Sequence, residues 1–139
     1  MNTFLQTVIP AIVSLALLGG GPAAGATAGQ TELQTHSAAM LKNADDMVAH
    51  GGMGDAKAIV HHCGEVRKEA QQLLELLPSS DPHGQAAIAP LKDTIRYCDR
   101  VAQLGEHVDP GVTLNPATKA RSAAREAARH LAAISASSR

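Results

Sequence analysis

The chain has 139 residues and a formal net charge of -1, so it encodes a single domain whose charge favours neither nucleic acid nor another polyanion as a partner. Its only aromatic rings besides histidine belong to Phe4 and Tyr97, which excludes base stacking as a binding mode. From Thr31 onward helix-forming residues dominate, without the alternating Val, Ile, Thr and aromatic pattern of strands, so we predict an all-α fold.

Residues 1–26 have the pattern of a secretory signal peptide. An apolar run from Val8 to Leu18 is followed by small residues and an A-x-A cleavage site that ends at Ala26. The run is shorter than the roughly 20 residues that a membrane-spanning helix needs, so an uncleaved anchor is the less favoured alternative. We therefore expect a periplasmic or secreted domain, residues 27–139, with no membrane attachment after cleavage.

The first helical hairpin is predicted over about residues 31–77. Its first helix runs from about Thr31 to His50 and ends at the Gly51-Gly52 pair, a helix C-terminal signal. Asp55 is the predicted N-cap of the second helix, which continues to Leu77 before Pro78. The predicted core positions are Leu33, Ser37, Met40, Ala44 and Met47 on the first helix and Ile59, Cys63, Val66, Ala70, Leu73 and Leu77 on the second.

The third helix is predicted to begin at Pro82, with Asp81 as its N-cap. Pro90 lies inside this helix and cannot donate a backbone hydrogen bond, so we expect a kink or a later start near residues 86–90. The predicted core positions are Ile88, Leu91, Ile95, Cys98, Ala102 and Gly105.

The fourth helix is predicted to follow a loop at residues 107–116. Asn115-Pro116 provides a cap and a first-turn proline, and the helix reaches about Ile134. The second hairpin thus spans about residues 82–136. Two hairpins joined by short connections predict an up-down-up-down four-helix bundle.

Cys63 and Cys98 occupy two of the predicted core seams and lie equally far from the predicted turn at residues 79–84. In an antiparallel hairpin they face each other. An exported protein commonly oxidises such a pair, so we predict a disulfide, whose loop closure would stabilise the fold by roughly 4 kcal/mol. A thiolate metal site and a pair of free buried thiols are the alternatives.

Polar residues that can bind a cation recur every seven residues along the first hairpin. This spacing keeps them on one flank of each helix seam, and the turn near residues 52–53 determines which of them lie at equal height. The predicted pairs are His36 with Glu69, Asn43 with His62, and His50 with Asp55.

The segment NADDMVAHGGMGDAKAIVHHC, residues 43–63, resembles the periplasmic small metal-binding protein family. The repeated pattern of that family is of the type H-A-x-x-A-x-x-H-G followed by a second helix with H-A-x-x-x-x-x-H. The resemblance covers residues 36–77 well and residues 83–134 weakly. It implies a small exported four-helix bundle, rich in histidine, that binds divalent transition metals such as copper and nickel.

About half of the family's histidines are present. His50, His62 and His130 match family histidines, and His36 and His83 fall near the first histidine of each hairpin. Other residues stand where the family pattern has histidine, which predicts a reduced metal capacity. These residues are Asn43, Glu69, Pro90, Tyr97 and Ala123.

The bundle topology places His36, Glu69, His83 and His130 at one end of the molecule. Three imidazoles and a carboxylate form a donor set that suits Cu(II), Ni(II) or Zn(II), so we predict a metal site there. Purely structural interpretations compete with metal binding: His50 would interact with a helix dipole, and His61, His83 and His107 would face solvent.

No motif of a hydrolase, metalloprotease or nucleotide-binding enzyme occurs in the sequence, so we do not expect an enzyme. The leading hypothesis is an exported protein that binds or buffers divalent transition metal ions through histidines. The alternative is a helical interaction or structural module that packs against an unidentified exported protein or against itself, with incidental histidines.

Overall fold

Four helices form an up-down-up-down bundle in the computed structural model, which describes residues 27–137. The helices are α1 (Ala28–Gly52), α2 (Ala56–Leu76), α3 (Pro82–Leu104) and α4 (Pro110–Ser137). The predicted fold class is therefore confirmed, whereas the predicted signal peptide lies outside the described residues. Within residues 27–137 no helix is long and apolar enough to span a bilayer.

Helix α1 begins three residues before the predicted start at Thr31, because a capping box precedes it. The Thr27 hydroxyl accepts from the backbone N–H of Gln30 at 3.4 Å, and the Gln30 side chain accepts from the Thr27 backbone N–H at 2.9 Å. These two bonds satisfy backbone donors that would otherwise lack a partner at the helix start. The core positions predicted for α1 are buried, except that Ser37 is half-buried.

The glycine pair that was predicted to end α1 is itself helical, and the left-handed residue is Gly54, with φ 81°. Gly51 is buried, and a Cβ at this position would lie 2.6 Å from Leu114 Cδ1 and 3.1 Å from Ile59 Cδ1. Glycine at this position therefore lets the end of α1 pack closely against α2 and α4.

The apolar seam predicted for α2 is confirmed from Ile59 to Leu73, while Leu77 is a half-buried C-cap. The seam predicted for α3 is confirmed only at Leu91 and Cys98. Helix α3 runs without interruption from Pro82 through Pro90, so the later start is wrong. Its remaining buried positions are Gly84, Ala87, Pro90, Thr94 and Val101 rather than Ile88, Ile95, Ala102 and Gly105.

Helix α4 starts at Pro110, six residues before the predicted start at Pro116. Asp109 causes the early start, because its carboxylate accepts from the Gly111 N–H at 2.7 Å while its carbonyl accepts from the Val112 N–H at 2.9 Å. Pro116 is consequently a buried residue in the second turn of α4, and only residues 105–109 connect α3 to α4.

Small side chains on α4 allow the helices to approach across the bundle. Each helix packs against its two neighbours, and α4 also touches α2 along the diagonal, which α1 and α3 do not do in the described part of the chain. Half of the buried α4 positions are alanines, which take little space between helix axes. They are Ala117, Ala120, Ala123, Ala124 and Ala127.

Candidate functional site

The first predicted pair of the α1–α2 hairpin is confirmed at His36 and Glu69. His36 Nδ1 lies 2.6 Å from Glu69 Oε2, and the two side chains are 30% and 15% exposed. The carboxylate thus orients the imidazole of His36 through one ring nitrogen. Such an arrangement leaves Nε2 of His36 as the nitrogen that can bind a metal ion.

The second predicted pair, His62 with Asn43, is also confirmed. The amide nitrogen of Asn43 donates to the Ala39 carbonyl at 3.0 Å, which turns the amide oxygen of Asn43 toward α2. Nδ1 of His62 lies 3.0 Å from that oxygen. Since an amide oxygen only accepts, Nδ1 of His62 carries the proton and Nε2 keeps its lone pair.

The third predicted pair, His50 with Asp55, is not formed. The Asp55 carboxylate accepts from the Ala58 N–H at 2.9 Å and thereby caps α2. The imidazole of His50 instead lies against that of His62, with ring centroids 5.2 Å apart and planes inclined by 14°. The exposed ring of His61 meets His62 edge-on, with a centroid distance of 5.3 Å.

Partial burial is the main reason that the neutral form of His62 is favoured. Partial burial lowers the pKa of His62, the carboxylate of Asp46 opposes this shift, and the neighbouring His50, His61 and Lys42 reinforce it. The Lys42 ammonium, 2.6 Å from Asp46 Oδ2, holds the pKa of the Asp46 carboxyl below its usual value, and the imidazoles of His62 and His50 lower it further. The Asp46 carboxylate and the imidazole of His62, whose neutral form is favoured, therefore share this flank of the hairpin.

The other end of the bundle brings His83 and His130 together. Their ring centroids are 6.5 Å apart, so the start of α3 and the end of α4 do meet as predicted. The larger cluster of His36, Glu69, His83 and His130 is not assembled, because no three His, Cys, Asp or Glu among residues 27–137 are placed to hold one metal ion. The structure divides the predicted cluster into two pairs, one within each hairpin.

The spacing of the two imidazole pairs matches the size of a bridging metal ion. A metal bound at 2.0–2.1 Å by an imidazole nitrogen lies about 3.2 Å from the ring centroid, so two imidazoles that share an ion have centroids roughly 4.5 Å apart when they are cis and at most about 6.4 Å apart when they are trans. The His50–His62 pair, at 5.2 Å, falls in this range, whereas the His83–His130 pair, at 6.5 Å, lies at the limit that trans ligands set. Each pair supplies two nitrogens and leaves the remaining coordination positions of an ion to solvent or another ligand.

Sequence reasoning missed the His50–His62 contact and the part played by Asp46. The N-cap role of Asp55 was a usable signal, because a carboxylate that caps α2 is no longer available to His50.

No family model, curated protein or solved structure matches this chain. Its donor atoms and their geometry are therefore the basis for assigning a function.

Proposed function

We propose that this protein binds divalent transition metal ions, Cu(II), Ni(II) or Zn(II), in an exported compartment through pairs of imidazoles on adjacent helices. The observation that carries the proposal is the His50–His62 pair, whose imidazoles have centroids 5.2 Å apart on adjacent helices. The two rings are stacked, so a ring must rotate about its side-chain bonds for both imidazoles to direct a nitrogen at one ion. Imidazole is a ligand that these three metals share. The resemblance of residues 43–63 to the periplasmic small metal-binding proteins points to the same chemistry.

Two features prepare His62 for this role before any ion arrives. Asn43 holds the ring in the tautomer whose Nε2 is free, as outer-shell partners of metal-binding histidines commonly do. Burial lowers the pKa of His62, so the ring is neutral at neutral pH and does not need to lose a proton to bind. Asn43 thus acts as an orienting residue in place of the histidine of the family pattern.

The donor count favours exchangeable binding over permanent retention. A pair of imidazoles fills only two positions of an ion, and the nearby Asp46 carboxylate adds negative charge while it remains bonded to Lys42. Structural metal sites, by contrast, are closed by four protein ligands. A buffering or carrier role follows, with His50–His62 as the principal site and His83–His130 as the second.

The test is a calorimetric titration of the full chain with Cu(II), Ni(II) and Zn(II) near pH 7.5. We expect His50→Ala and His62→Ala each to weaken binding at least tenfold, because one remaining imidazole chelates no ion. Binding should also weaken below about pH 6.5, where protons compete for imidazole nitrogens.

His107→Ala is the matched control, because the His107 side chain is 93% exposed and its Nε2 lies 3.9 Å from Glu106 Oε1. Its titration should equal that of the unmodified chain. Millimolar affinity in the unmodified chain, or equal affinity in the His50→Ala, His62→Ala and His107→Ala variants, would overturn the proposal.

The alternative function, a helical interaction module, is favoured by an apolar groove between α1 and α4. The groove has a volume of about 350 Å³ and is lined chiefly by Leu33, Leu41, Leu131 and small residues. Light scattering over a range of protein concentrations tests whether the chain associates with itself through this groove. A solution mass above that of the monomer would support self-association, provided that Leu41→Asp restores the monomer mass. A monomer at every concentration would exclude self-association as the function.

A further inference from the structure

Two cysteines meet near the middle of the bundle, between α2 and α3, whereas the neighbouring His62 faces α1. Cys63 on α2 and Cys98 on α3 are 1% and 2% exposed, and their sulfur atoms are 2.6 Å apart. One helical turn away, Arg67 donates to Asp99 at 3.1 Å across the same interface. This exposed ion pair and the apolar seams fix the height at which α3 lies against α2.

We propose that Cys63 and Cys98 form an intramolecular disulfide that joins the two hairpins inside the core. Two cysteines in contact at equal height on antiparallel helices satisfy the requirement that their side chains converge. A thiolate metal site is less well supported, because it needs further ligands. The adjacent His62 faces Asn43 on α1, and the described residues supply no third donor.

The oxidation needs an external disulfide, such as oxidised glutathione or the disulfide of a thiol oxidase. One cysteine thiolate attacks that disulfide, forms a mixed disulfide and releases one thiolate of the oxidant. The thiolate of the other cysteine then attacks the cysteine sulfur of the mixed disulfide and displaces the second thiolate. Two electrons pass from the two cysteines to the oxidant, which leaves as two thiols.

The burial of both sulfur atoms determines the stage of folding at which the oxidation can occur. Cys63 and Cys98 are both part of the buried apolar core, so closure of the bundle surrounds the two sulfur atoms with other side chains. An oxidant also has no access to sulfur atoms that are 1% and 2% exposed. The disulfide therefore forms while the chain is still open, and closure of the bundle then shields it from reductants.

The cross-link stabilises the fold without altering the proposed metal donors. Each of the pairs His36–Glu69, His50–His62 and His83–His130 lies within one hairpin, whereas the disulfide connects α2 of the first hairpin to α3 of the second. Failure of one proposal is thus separable from failure of the other. Reduction should lower stability and leave the affinity at His50–His62 unchanged.

The experiment is to refold the unfolded, reduced full chain in a glutathione buffer that contains the oxidised form. We expect the intact mass to fall by two hydrogen atoms and neither cysteine to react with iodoacetamide after denaturation. Reduction should lower the midpoint of thermal unfolding by roughly 10–20 °C. Dithiothreitol should reduce the native protein only as fast as the bundle unfolds, and the denatured protein at once.

The control is the double variant Cys63→Ala, Cys98→Ala, whose unfolding midpoint should not respond to the reductant. If that variant does not fold, the comparison of the oxidised and reduced unmodified chain still decides the matter. Alkylation of both cysteines after refolding in the oxidising buffer would overturn the disulfide, as would equal unfolding midpoints with and without reductant.

Discussion

Asn43 orients the imidazole of His62, the proposed metal ligand. Its amide is fixed by the Ala39 carbonyl and in turn fixes the tautomer of His62. We predict that Asn43→Ala weakens metal binding at the His50–His62 pair by about tenfold, because outer-shell partners contribute on that scale. Calorimetric titration measures the change.

The exposed Asn115 on α4 provides a control of the same residue type, since its side chain lines a surface with Tyr97 and Arg100 of α3 and Asn115→Ala leaves the Asn43–His62 hydrogen bond in place. It should bind metal like the unmodified chain. Equal affinities of the Asn43→Ala and unmodified chains would show that the hydrogen bond to His62 does not prepare the site.

His62 should make the metal-free protein less stable in mild acid. Its pKa in the fold lies below the usual value of 6.5, because burial outweighs the Asp46 carboxylate, and His50, His61 and Lys42 add repulsion. Above pH 6.5 His62 is neutral in both states and has no effect. As the pH falls through 6.5 the unfolded chain binds the proton first, so the free energy of unfolding decreases.

Urea unfolding at pH 7.5 and pH 5.5, in the presence of a chelator, tests this prediction. We expect His62→Gln to lose less stability between the two pH values than the unmodified chain does. His107→Gln serves as the comparison, because His107 is almost fully exposed and should leave the pH dependence unchanged. An identical loss in the His62→Gln and unmodified chains would contradict the assigned role of His62.

At the scale of single helices, the spacing of apolar residues predicted the buried face correctly where the sequence offers only one apolar seam. Helix α2 is such a case. In α3 two seams with the same spacing share Leu91 and Cys98, and periodicity cannot separate Ile88 and Ile95 from Ala87 and Thr94. The fold buries the smaller pair, and the hydroxyl of Thr94 is satisfied by the Pro90 carbonyl at 2.8 Å.

The start of α4 was mispredicted for a related reason. Asp109-Pro110 and Asn115-Pro116 both provide a cap followed by a proline, and the two signals are equivalent in the sequence alone. The structure uses the first, because the Asp109 carboxylate bonds to the Gly111 N–H and buried Pro116 then packs in the core. Packing decides between two local signals of equal strength.

The N-cap of α3 gives an element-scale prediction. Asp81 Oδ1 accepts from the backbone N–H groups of His83 and Gly84 at 2.8 and 3.0 Å. Asp81→Ala should lower the free energy of unfolding by about 1 kcal/mol. Asp81→Asn keeps a hydrogen-bond acceptor and should retain most of this contribution to stability. Urea unfolding measures both values. An equal loss in the two variants would point to charge rather than to the missing acceptor.

For the whole molecule, antiparallel geometry predicted the pairs within a hairpin better than the contacts between hairpins. The register of α1 against α2 is set by a short turn, so His36–Glu69 and Asn43–His62 followed from position along the chain. The lateral arrangement of two hairpins depends on core packing, which the sequence does not determine at the precision of a metal site. The predicted four-residue cluster failed at this step.

The division into hairpins predicts two independent binding sites. His62 and the start of α3 are separated by most of the length of α2, about 20 Å, so His50–His62 and His83–His130 share no ligand. The double variant His83→Ala, His130→Ala should therefore lose one class of site in a Cu(II) titration. The affinity of the other site should stay within about twofold, as for distant and uncoupled residues.

The reciprocal variant, His50→Ala with His62→Ala, should show the converse loss and leave the His83–His130 site intact. A change of tenfold or more at the remaining site in either variant would mean that the bundle rearranges around the ion and gathers donors from both hairpins. Reduction of the proposed Cys63–Cys98 disulfide distinguishes the two cases as well. It should not affect two sites that each lie within one hairpin, but would weaken a site that requires both hairpins to stay in register.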